Sequence, residues 1–259
     1  MVLYPLPANN HPQPDAIPIP AWRAVERRQR QRARDWWLVA QPDHAALAGD
    51  LAARLDFPTI PALSAEVIAA ISAHDAGWAE FDSVTTLTTA SLKLTSPVSF
   101  LEICPADFLV AWVGSINAAE HIGYLGGIIV SKHFSRLGQS RLASRSDSAE
   151  DISRLRQFLS EESARQARLR DAVEASPPEF EALTDVLQFC DLVSLYLCCG
   201  AVEPAEFPQQ FDGTTIQVRR DGDAFLFTPP VFGRGASLGV SARRYLGKKQ
   251  NGIIPFLVG

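Results

Sequence analysis

Apolar residues recur at helical spacing through the middle of the chain and at alternate positions towards its end. His44, Leu47, Ala48, Leu51 and Leu55 fall at i, i+3, i+4, i+7 and i+11. They predict a helix opened by Gln41-Pro42-Asp43, where proline suits the first turn and an acidic residue the positive helix end. Pro58 and Pro61 interrupt the chain. A second helix starts near Ser64, a residue type that caps helix N-termini, with Val67, Ile68 and Ile71 on its inner face. Pro105 to Leu137 reads as two helices, broken near Gly123 or packed closely through Gly126-Gly127. Ser146 to Ala175 is a charged helix with a narrow stripe of Ile152, Leu155, Leu159 and Leu169. Ser176-Pro177-Pro178-Glu179 opens the last helix, which runs to Gly200.

From Thr214 the period changes to two. Thr214 to Arg219, the turn Asp221-Gly222-Asp223 and Ala224 to Thr228 read as a hairpin. Ala236 to Leu246 and Ile253 to Val258 offer further strands, and Trp36 to Ala40 a short strand or buried lead-in. Residues 1 to 20 hold six prolines and read as an extended, irregular leader, with His11 solvated. Trp22 to Arg34 carries six arginines at spacing that permits a helix with a solvated face. Ser83 to Phe100 has no helical period and reads as a loop, placed to act as a lid. The expected fold is mainly α, a helical bundle with a small C-terminal antiparallel β appendage. Its expected divisions are a Pro/Arg-rich leader (1–35), a helical domain (36–204) and a β-rich appendage packed on it (205–259).

Composition narrows the function classes. The 259 residues are 47% hydrophobic and 20% charged, as in ordinary globular proteins, and the net charge of -5 gives no global basic field for nucleic acid. The uncharged run Phe108 to Ala119 is too short to span a bilayer. No basic segment followed by an apolar run opens the chain, so no signal peptide is expected. Cys104, Cys190, Cys198 and Cys199 sit in apolar surroundings without a CxxC pair, which points to a reducing cytoplasm.

The candidate chemistry lies on the apolar faces. His74 falls three after Ile71 and seven after Val67, so it points inward with Asp75 beside it. His44 opens the buried face of its own helix, and His133 follows Val130 and Ile129 at helical spacing. Asp191 is the only charge between Val186 and Val202. One such histidine is ordinarily a satisfied core residue, hydrogen-bonded to a helix-end Asp. Five convergent imidazole and carboxylate groups are much harder to satisfy without a cation, and helical bundles build metal sites from single residues on facing helices.

The order His44, then His74-Asp75, then Asp191 resembles the HD-domain superfamily of helical metal-dependent phosphohydrolases. The pieces Gln41 to Ala45, His74 to Trp78 and Val130 to Phe134 are similar to an uncharacterised bacterial HD-like family of unknown function, over roughly residues 36 to 250. The resemblance implies His44, His74, Asp75 and Asp191 as ligands of one or two divalent ions, with Mn, Mg, Fe, Ni and Zn undistinguished. His133 would be a ligand of a second metal or the acid for a leaving group, and Asp75 the group accepting the proton of a metal-bound water. The Lys that follows the HD pair in many such hydrolases is replaced by Gly77-Trp78-Ala79. Lys132 and Arg136 are therefore the candidates to hold phosphate, and Trp78 to line a pocket.

The expected activity is metal-dependent hydrolysis of a small phosphate ester, of the nucleotide or phosphodiester class. No membrane or nucleic-acid partner is expected, and a homodimer is left open. Two alternatives stand beside it. One is a di-iron oxygenase, for which His121 would complete four histidines and two aspartates. The other is a non-catalytic protein of the same fold that senses or binds a ligand.

Overall fold

The computed structural model describes residues 1–6, 17–18, 35–60, 62–83, 98–144, 147–201, 203–233, 235–245 and 251–259. His11, the arginine-rich segment and most of the expected lid loop lie outside the described residues. Among the described residues the chain is mainly α-helical with a sheet built largely from its C-terminal part.

Strands β1 (Val2–Leu6), β2 (Ile17–Pro18) and β3 (Asp35–Val39) come first. The helices follow: α1 (Gln41–Ala52), α2 (Ala65–Ser72), α3 (Pro105–Ile122), α4 (Tyr124–Ser144), α5 (Ala149–Arg170) and α6 (Pro177–Cys198). Strands β4 (Ala205–Phe211), β5 (Thr214–Asp221), β6 (Ala224–Thr228), β7 (Ala236–Arg244) and β8 (Asn251–Val258) close the chain.

Helix ends follow their capping chemistry. Ser64 Oγ accepts from Val67 N at 3.3 Å, and Ser176 with Glu179 forms a reciprocal capping box on α6. At α1 the capping position is Ala40, which has no acceptor side chain; Asp82 supplies one from a distance, its Oδ2 accepting from Gln41 N at 2.6 Å. Between α3 and α4 only Gly123 interrupts the helical path, as its sequence position suggests.

The sheet has strand order β1-β3-β7-β8-β6-β5-β4-β2. The hairpin β5–β6 turns at Gly222 with φ of 60°, a left-handed conformation that glycine adopts without steric cost. Two features depart from a purely C-terminal antiparallel appendage. The pairs β2–β4 and β6–β8 are parallel. The N-terminal strands join the sheet, and Val2 to Leu6 pair with all five residues of β3 rather than forming an irregular leader.

Alternation along the strands turns one face of the sheet onto the helices. Phe189 of α6 packs edge-on against Phe207 at 5.0 Å and Phe211 at 5.5 Å, and all three belong to a core shared by helices and sheet. Truncating a buried Phe such as Phe189 to Ala costs about 3–5 kcal/mol. This packing fixes α6, and α6 carries Asp191. No helix among the described residues is long and apolar enough to cross a membrane.

Candidate metal centre

Four separate stretches deliver the polar groups, His133 of α4 among them. His44 sits in the first turns of α1, His74 and Asp75 in the turn that follows α2, and Asp191 in the middle of α6. His74 and Asp75 are thus at the end of their helix rather than on it, held in a sharp turn that continues into a 3₁₀ turn, Ala76–Trp78. That turn lies against α3. Gly77 N donates to Ser115 Oγ at 3.0 Å, and a Cβ on Gly77 would stand only 2.0 Å from Ala111 O. Any larger residue at Gly77 therefore pushes the turn that carries Asp75 and the backbone of α3 apart.

His44, His74, Asp75, His133 and Asp191 are all buried. They form two triads, His44–His74–Asp75 and His74–His133–Asp191, with the ligand atoms of each within 4.8 Å of one another. His44 Nε2 lies 2.8 Å from Asp75 Oδ2, and His74 Nε2 lies 3.3 Å from Asp191 Oδ1 and 3.9 Å from Asp75 Oδ2. An ion about 2.0–2.2 Å from each ligand sets neighbouring ligand atoms about 3–4.4 Å apart, so these separations need little change to enclose one.

Hydrogen bonds on the outer side fix the ring tautomers. Ser194 Oγ lies 2.8 Å from Asp191 O and 3.0 Å from His44 Nδ1, so the tautomer that keeps both bonds carries its proton on Nδ1 and donates it to Ser194. His74 Nδ1–H donates to Ile71 O at 2.7 Å. Each ring therefore spends its Nδ1 proton on the fold and turns Nε2 towards the carboxylates, the arrangement that metal-ligating histidines favour. Among the described residues His74 Nε2 has no hydrogen-bond partner, and neither has the buried His133 Nδ1. A nitrogen lone pair and a carboxylate oxygen repel at these distances. A cation has to lie between them, either a proton or a metal ion.

The electrostatics agree. Burial disfavours the His74 cation, but the carboxylates of Asp75 and Asp191 outweigh it and raise its pKa to about 9. Burial likewise opposes the Asp191 anion, yet the surrounding histidines, His74 foremost, hold it down at about 2. For His133 burial wins and lowers it to about 4. A neutral imidazole at pH 7 suits a ligand or hydrogen-bonding role and lacks the extra proton of a general acid.

The remaining expected site residues are placed differently. Lys132 and Arg136 flank His133 in sequence, but both reach across to α6. Lys132 Nζ bonds Glu181 at 2.5 Å, while Arg136 bonds Glu181 at 2.6 Å, Asp185 at 2.7 Å and Gln188 at 2.7 Å. Both cations are neutralised, so the phosphate-holding role expected for them is not supported. The helical period brings them near His133 but does not reveal that Glu181 and Asp185 recur along the facing helix. Trp78 is buried against Phe81, 5.9 Å between rings, which makes it a core residue. Asp82 anchors the start of α1 and also meets the amino group of Met1 at 3.0 Å. His121 is exposed on α3, bonded to Asn117 O, and the six-residue set for two irons is not assembled around it. Ser194 escaped sequence reasoning, although it follows Asp191 by three and so shares its helix face.

No curated protein and no solved structure matches the chain. The resemblance to the HD-domain superfamily is overturned, because the family that covers the chain carries no such assignment and the ordered His and Asp positions that suggested it are short and widely spaced. The chain, through residues 29–244, belongs to the family described as protein of unknown function (DUF3891).

Proposed function

We propose that the protein binds a divalent metal through His44, His74, Asp75 and Asp191 and uses it to hydrolyse a small phosphate ester. The observation that carries this reading is the pair of histidines whose Nδ1 protons are committed to Ser194 and Ile71, leaving both Nε2 atoms facing two buried carboxylates. The chemistry follows from that arrangement. A bound ion brings the pKa of a coordinated water near neutrality and polarises a phosphoryl oxygen. Asp75 would take the proton of that water as its oxygen bonds to phosphorus and the bond to the leaving oxygen breaks, and that proton, from Asp75 or solvent, would pass to the leaving oxygen. Because Lys132 and Arg136 are already paired, the metal is itself the cation that faces phosphate. The carboxylate side chains are 9% and 11% exposed against 1% for His44 and His74, so the carboxylates are the side of the centre nearest to solvent.

The test is a panel of nucleotides and simple phosphodiesters with Mn, Mg, Ni, Fe and Zn, comparing wild type with Asp75→Ala. Release of product that needs both the metal and Asp75 supports the reading. Bound metal with no turnover across the panel contradicts hydrolysis and favours a metal-binding protein without catalysis.

A further inference from the structure

Within the metal reading above, we infer that the centre takes one divalent transition-metal ion rather than two, with His74 Nε2 as its hub. Two triads would offer places for two ions, but both contain His74. Its Nδ1–H is committed to Ile71 O at 2.7 Å, so a single lone pair, on Nε2, serves both. One lone pair binds one ion. Without His74, each triad keeps only two ligands, His44 with Asp75 or His133 with Asp191, fewer than the three protein ligands of ordinary catalytic sites.

Charge leads to the same stoichiometry. The two triads contain two carboxylates, Asp75 and Asp191. One divalent ion neutralises them. A second would leave a double positive charge among side chains that are 0 to 2% exposed, at His44, His74 and His133, and an uncompensated buried charge is very costly.

Asp191 explains why His133 lies close without being needed as a ligand. Its Oδ1 faces His74 Nε2 at 3.3 Å, with the outer nitrogen of His44, Nδ1, at 3.9 Å, while its Oδ2 faces His133 Nε2 at 4.0 Å. One oxygen turns towards the ion and the other towards His133. The donor set also selects the ion. Imidazoles favour Zn, Fe, Ni and similar d-block ions, whereas Mg and Ca prefer an all-oxygen shell.

The experiment uses the full chain, stripped with a chelator, reloaded with excess Mn and passed through a desalting column. Metal per chain is read by elemental mass spectrometry and the spin state of bound Mn by electron paramagnetic resonance. One ion per chain is expected, with the signal of an isolated Mn, unchanged in His133→Asn, lost in His74→Gln, and not displaced by a large excess of Mg. Two ions per chain, an exchange-coupled pair, loss of the ion in His133→Asn or displacement by Mg overturns the inference while leaving metal-dependent hydrolysis intact. One ion in a protein that hydrolyses none of the panel supports the inference and removes the hydrolase reading. Absence of any bound ion both after Mn loading and in a parallel sample loaded with Zn removes both.

Discussion

Glu162 and Asp191 are both buried carboxylates near the middle of long helices, and both face α4. Their surroundings differ. Glu162 of α5 accepts from Ser131 Oγ at 2.8 Å and pairs with Arg165 at 3.1 Å, which in turn bonds Glu120 and Asn117. Burial pushes the Glu162 pKa up, and these donors pull against it. The chain itself satisfies that carboxylate. Among the described residues the Asp191 carboxylate has histidine nitrogens at 3.3 to 4.0 Å as its partners, and His74 Nε2 has no hydrogen bond there. Burial of a charge is therefore not the functional signal here. The signal is a buried charge whose partners lack a cation of their own.

The largest separation of the two comes from removing each charge. Asp191→Asn should lower metal affinity by about 100-fold or more, whereas Glu162→Gln should leave it intact and instead cost about 1–3 kcal/mol of stability through a weakened buried network. Metal titration and urea unfolding of the two variants check this; equal loss of metal in both would erase the distinction. Next in size is Ser194→Ala. Without the acceptor for His44 Nδ1–H the ring loses its fixed tautomer, and metal affinity should fall about 10- to 100-fold while the fold is retained. Unchanged affinity would mean that Ser194 does not orient His44.

The metal-free protein should show the unsatisfied cluster in its pH dependence. His74 is raised from 6.5 to about 9, so its stabilising effect is complete below pH 6.5 and lost as pH rises through 9. His133 is lowered from 6.5 to about 4, so the unfolded chain takes up a proton first and stability falls as pH drops from 6.5 towards 4. Melting temperature in chelator should thus peak near pH 6.5, and added metal, replacing the His74 proton, should flatten the alkaline arm. A monotonic rise from pH 6 to 9 in chelator would contradict the placement of His74 between two carboxylates.

The smallest effect belongs to the exposed rim of the α4–α6 seam. Lys132→Ala breaks a half-exposed ion pair with Glu181 and should change stability and substrate binding by about 1 kcal/mol or less. A much larger loss of substrate affinity would restore the phosphate-holding role that the pairing with Glu181 removes.

The parts legible in sequence were those written in a single helix. His44, His133 and Asp191 could be assigned to inner faces because an apolar stripe at 3.6-residue spacing identifies the face. The strands α6 packs against were harder. β4 contains Pro208, which cannot donate to a ladder, and the register with β5 shifts between Glu206 and Gln210. β1 holds Pro5 among a run of prolines and becomes a strand only by pairing with β3. Side-chain pairings between helices outside that polar cluster were not legible. The Lys132–Glu181 and Arg136–Asp185 contacts span 49 residues, and the Ser194–His44 bond spans 150.

The central claim is that the two Nε2 atoms and two carboxylates enclose an ion. An anomalous-difference map from crystals grown with Mn or Zn tests it most directly. The account predicts one strong peak about 2.0–2.3 Å from His44 Nε2, His74 Nε2 and oxygens of Asp75 and Asp191. A map with no peak among these residues, or with its peak on other side chains, would contradict it.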